Sequence, residues 1–159
     1  MKIITHTSTA DNKVYKVTDT GTYYHENTSD RIIEVLEDCR NRNTRIQLFY
    51  GDINTGTDWN EEFGTIGYVG RSMGPVKVPI LVYNNKSIGG GAILTDCILK
   101  IRETNSRLIL YKAANYQQPV IEITPSDTEG YTHNTVINGQ IHGRHKSLKS
   151  AELLKKKLS

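Results

Sequence analysis

Between positions 51 and 92 the chain sets Asp52, Trp59, Arg71, Ser72, Lys77, Asn84 and Ser87 among nine of its thirteen glycines, Gly89 and Gly90 included. The chemistry this grouping suggests is capture of an anion. Arg71 offers a planar fork that matches phosphate or carboxylate, and Lys77 adds a second positive charge. Ser72, Ser87 and Asn84 supply polar side chains. Glycine lets backbone N–H groups approach a ligand closely, and Trp59, the only tryptophan, offers a stacking face for a base. None of these loops matches a Walker A motif or GxGxxG. The competing account is that the glycines serve turns and bulges and that Trp59 caps the core.

The histidines suggest different chemistry. His6 in HTS and His133 in HNT resemble the paired HxT/S elements of two-histidine phosphoesterases. That resemblance implies His6 with Ser8, and His133 with Thr135, acting on a phosphodiester. The two elements stand far apart in the chain, and serine and threonine are frequent enough to produce such triplets by chance. No metal site is expected. Asp52, Asp58, Glu61 and Glu62 follow no EF-hand spacing, and His142 and His145 sit beside Arg144 and Lys146, which repel a cation. Cys39 and Cys97 lack CxxC partners and lie in apolar runs, where a free thiol acts as a small hydrophobe. A reducing compartment follows. No cofactor is implied.

The formal net charge of +3 is unevenly placed. Residues 140–159 carry Arg144, Lys146, Lys149, Lys155, Lys156 and Lys157 against Glu152 alone. A lysine cluster in a last helical turn stabilises the helix through its dipole. The same cluster could contact nucleic-acid phosphates, with strong salt dependence. Arg144, Lys146, Lys149, Lys155 and Lys156 are the candidate contacts for that second reading.

The elements that must hold these residues are mostly strands. With 159 residues and 36% apolar content, the chain fits one domain, or a domain plus a small appendage. A hairpin is expected around Asp19–Thr20–Gly21. Ser29 caps a helix over 29–42, whose Ile32, Ile33, Val35, Leu36 and Cys39 repeat near the helical period. Short strands follow between 44 and 124, with 93–102 strongly apolar and 76–83 marked as an edge or bulged strand by Pro79. Asn138–Gly139 predicts a type I′ hairpin. Ser147 or Ser150 then caps a C-terminal helix. The fold class is α+β with a mainly antiparallel sheet, which could curl into a small open barrel. The division expected is a β-rich body over 1–124 and a hairpin–helix unit over 131–159.

The strings LFYGD and GYVGRSMGPVKVPILVYNNKSIGG resemble short phage- and plasmid-encoded proteins. The resemblance carries over no activity; it implies an interaction or counter-defence role, in the cytoplasm of a bacterial host. No run approaches the ~20 apolar residues of a membrane span. The expected function is non-catalytic binding of an anionic small molecule, a nucleotide or nucleotide-derived signal. Tyrosine-rich strands with an open edge add the expectation of a homo-oligomer.

Overall fold

Both helices begin where a serine caps them. In a computed structural model, which describes residues 1–70, 77–83, 86–87 and 93–159, α1 runs Asp30–Arg42. The Ser29 hydroxyl accepts from the Ile32 N–H at 3.2 Å. Asp30 stands in its first turn and Arg40 and Arg42 in its last, each opposite in sign to the helix-dipole end beside it. Asn43 ends the helix in the left-handed conformation, φ 51°. The second helix, α2 (Leu148–Leu158), is capped by Ser147, which accepts from the Ser150 N–H.

The chain forms two compact units, Met1–Tyr116 and Gln117–Ser159. In the first, β1 (Ile3–Thr7), β2 (Val14–Thr18) and β3 (Tyr23–His25) form a three-stranded antiparallel sheet. A six-stranded antiparallel sheet comes next. It comprises β4 (Ile46–Asp52), β5 (Thr57–Gly70), β6 (Lys77–Tyr83), β7 (Lys86–Ser87), β8 (Ile98–Glu103) and β9 (Ile109–Lys112), in the order β7-β6-β5-β4-β8-β9. Among the described residues this sheet is open, with β7 and β9 at its edges. The α+β class with mainly antiparallel strands is thus the architecture seen.

The longest strand is where expectation and structure part. Gly51 and Gly64 bound a polar stretch within the 51–92 region expected to form loops, yet β5 is continuous from Thr57. Its first half pairs with β4 (Ile46 opposite Gly64, Asp52 opposite Thr57) and its second half with β6 (Thr65 opposite Val82, Gly70 opposite Lys77). The changeover falls at Gly64, φ 153°, where a Cβ would overlap the Val82 carbonyl oxygen. Only glycine fits that crossing. In β6, Pro79 pairs with Tyr68 on one side, while β7 reaches only Val82 and Tyr83 on the other. Proline is tolerated there because no ladder bond is asked of its nitrogen.

The core lies between α1 and the six-stranded sheet. Ile32, Ile33, Val35, Leu36 and Cys39 pack against Ile46, Leu48, Tyr50, Ile66, Leu81, Ile98 and Ile101. Burying each such aliphatic side chain stabilises the fold by roughly 1.5–3 kcal/mol. The central strand β4 is buried at six consecutive positions, from Ile46 to Gly51. It therefore has a second covered face, which carries Gln47 and Phe49.

In the second unit, β10 (Ile121–Pro125), β11 (His133–Ile137) and β12 (Gln140–His145) form an antiparallel sheet packed on α2. Asn138 and Gly139 both take positive φ, 49° and 82°, as a type I′ turn requires. Because β10 pairs with β11, the strand joins this unit, and the division falls earlier in the chain than residues 125–130.

Candidate functional site

On the second face of the six-stranded sheet two buried cations stand together among the described residues. Lys100 and Arg102 stand two residues apart on β8, so both point away from α1. Register places Lys100 opposite Phe49 and Arg102 opposite Gln47 on β4. Each cation is only 3% exposed. The Arg102 guanidinium donates twice to Gln47 Oε1, from Nε at 3.2 Å and Nη2 at 2.6 Å, and lies 5.3 Å from the centre of the Phe49 ring. Lys100 Nζ sits 4.9 Å from the Phe49 ring centre and 5.4 Å from that of Tyr116. Among the described residues, no carboxylate lies within ion-pair distance of Lys100.

Tyr116 ties this face to the β4–β5 turn. Its hydroxyl donates to Asp58 Oδ2 at 2.9 Å, and the Asn115 amide donates to the Ile53 carbonyl at 2.8 Å. Burial pushes the Lys100 ammonium below its usual range; the Arg102 charge adds to this and Asp58 opposes it. Burial likewise raises the Asp58 carboxyl, against the hydrogen bond from Tyr116. The Tyr116 hydroxyl is pushed up by burial and then by the Asp58 charge. Two aromatic rings, two cations and a carboxamide thus converge on one patch. Such a set has the charge and ring chemistry that complements a planar anion: positive charge at Lys100 and Arg102, and aromatic surface at Phe49 and Tyr116.

No protein-family model, no curated protein and no solved structure matches the chain.

The residues singled out in the sequence fall in several places. Arg71, Ser72, Asn84, Gly89 and Gly90 lie outside the described residues. Trp59 belongs to β5, beside the irregularity that pairs Tyr50 with Asn60 and Gly51 with Asp58. Ser87 ends β7. Asp52 closes β4, and its carboxylate accepts from the Asn54 N–H at 2.9 Å in a local turn. Lys77 stands opposite Gly70, at the far end of β5 from Asp52. Strand rise puts these two ends up to ~40 Å apart along β5. Asp52 and Trp59 therefore border the Tyr116 side, and Lys77 does not.

Lys77 instead adjoins a buried polar network. Its Nζ lies 5.9 Å from the centre of the Tyr68 ring, over which the Arg40 guanidinium sits at 4.4 Å. The Tyr68 and Tyr24 hydroxyls donate to the two oxygens of Glu37, at 2.7 and 2.8 Å. Arg40 Nε approaches Glu37 at 3.6 Å. This network satisfies a carboxylate that α1 buries, as a charge in a protein interior requires.

The phosphoesterase pattern is divided between the two units. His6 lies in the first, with its ring edge-on to Tyr23 at 5.8 Å. His133 lies in the second, and its Nδ1 is 2.8 Å from the Thr132 hydroxyl. The Thr135 hydroxyl meets His145 Nε2 at 2.9 Å. In the tail, Arg144, Lys146, Lys149, Lys155 and Lys156 are exposed on β12, α2 and the turn between them. Among the described residues no cluster of metal-ligating side chains occurs, and no helix is long and apolar enough to cross a membrane.

Sequence reasoning passed over Lys100 and Arg102 because 93–102 reads as an apolar run. The available signal was alternation. In ILKIRE the cations recur with period two, which places both on one face of a strand whose other face is core.

Proposed function

We propose that this protein binds an anionic small molecule, a nucleotide or nucleotide-derived signal, and holds it without chemical change. The observation that carries the reading is the pair of buried cations on β8, Lys100 and Arg102, set beside the Phe49 and Tyr116 rings. A buried ammonium without a carboxylate partner is costly, and an incoming anion offsets that cost. The aromatic neighbours favour an anion that also carries a flat ring. Sequestration needs no acid–base pair, so the reading asks only for complementary charge and shape.

Thermal shift and calorimetry with a panel of mononucleotides, dinucleotides and cyclic dinucleotides test it. At least one member should bind. Lys100→Met and Arg102→Met should each weaken it about tenfold or more, the scale of a charge-assisted hydrogen bond. Affinity should also fall as pH rises toward, but before, the ordinary lysine range near ~10.4, because Lys100 loses its proton early. Lys77→Ala should leave affinity unchanged. Loss in Lys77→Ala with full binding in Lys100→Met would move the site to the Gly70 end of β5. A panel without a binder would remove the proposal.

A further inference from the structure

Strand β9 has β8 on one side and no strand on the other among the described residues. A free edge offers a row of backbone donors and acceptors to any extended chain, and folded proteins commonly blunt such edges with charge, proline or a cover. Here the edge begins apolar and ends on a charge: Leu108, just before the strand, is 58% and Ile109 48% exposed, and the exposed Lys112 closes it. Beside it lies a groove of about 370 Å³ between β9 and α1, lined by Arg31, Glu34, Val35, Asp38, Ile109 and Leu110.

The charges on the helix wall of that groove are ordered. Arg31 stands toward the start of α1 and Asp38 one stripe further on, at i and i+7, with Glu34 between. A two-fold partner would meet this order reversed. When two copies pair antiparallel through the same edge strand, the axis stands perpendicular to the sheet. Both α1 helices then lie antiparallel on one face of a continuous sheet. With the axis passing beside Glu34 and Val35, Arg31 of each copy faces the partner's Asp38, and these two pairs of opposite sign flank the two Glu34 carboxylates. The contacts each residue makes within its own helix do not forbid this. Arg31–Glu34 at 3.6 Å and Asp38–Arg42 at 2.7 Å are exposed pairs, which are individually weak.

We infer that the partner for this surface is a second copy of the same chain, joined by antiparallel pairing of β9, with Arg31 and Asp38 opposed across the groove. The pairing supplies the missing strand neighbour and covers Leu108 and Ile109. It is independent of the ligand reading, since Lys100 and Arg102 point to the other face.

Sedimentation velocity across a concentration series tests it, with thermal melting as a control for folding. The wild type should dimerise. Arg31→Asp and Asp38→Arg should each weaken the dimer about tenfold or more, because like charges then oppose one another. Mixing the two variants should restore association, since every opposed pair in the mixed dimer again has opposite sign. Ile109→Lys should also dissociate it. A wild type that stays monomeric throughout overturns the inference. So does a dimer indifferent to all three substitutions, or a mixture no more dimeric than its components.

Discussion

Cys39 shows how one side chain can carry the fold's response to alkali. It is fully buried on α1 and has no disulfide partner. Burial pushes its thiol up to about 11, with the nearby Asp38 charge adding to the effect. The folded state therefore holds the proton more tightly than the unfolded chain. The stabilisation is fully present below the ordinary thiol value of 9.0 and is lost as pH rises through about 11. Two pH units of difference correspond to about 2–3 kcal/mol. Urea unfolding at pH 8 and pH 10.5 should show this decline, and Cys39→Ala should flatten it while lowering stability overall. An unchanged slope in the variant would assign the decline elsewhere, the buried hydroxyls of Tyr24 and Tyr50 being next in line. At this scale the sequence was partly legible. The apolar surroundings of Cys39 and the core stripe of α1 follow from periodicity. The pairing of Glu37 with Tyr24 and Tyr68 does not, because it joins three elements that no local pattern connects.

Helices and tight turns were legible because their signals are local. Ser29, Ser147 and Asn138–Gly139 each fix a boundary through a hydrogen bond or a φ value set by a few neighbouring residues. β5 was not legible past its glycines, because its first half is a strand by virtue of β4 rather than by its own alternation. The turn before it shows what glycine does there. Gly56 has φ 76°, and a Cβ would overlap the Asn115 carbonyl oxygen. Gly56→Ala therefore combines backbone strain with a clash against the segment that carries Tyr116. It should destabilise by about 2 kcal/mol or more. Ser29→Ala, which removes one cap bond, should cost about 1 kcal/mol. Denaturant titration of the two variants checks the order, and equal losses would mean that the turn yields freely.

Across the whole molecule, the division into Met1–Tyr116 and Gln117–Ser159 is decided by strand pairing. The sequence places the division between 124 and 131, yet β10 runs into that stretch at Pro125 and pairs with β11 beyond it. Long-range pairing outweighs local loop chemistry there, as it does in β5. That longest strand has a further consequence. Thr57–Gly70 is a single rafter shared by two roofs, resting on β4 for half its length and on β6 for the rest. Neither roof can lift without dragging the same beam. Amide hydrogens at 61–63 and 66–68 should therefore exchange through one common opening, with matching free energies by native-state exchange. Two distinct opening energies would mean that the beam breaks at Gly64, and that the sheet is two panels joined by a pliant seam.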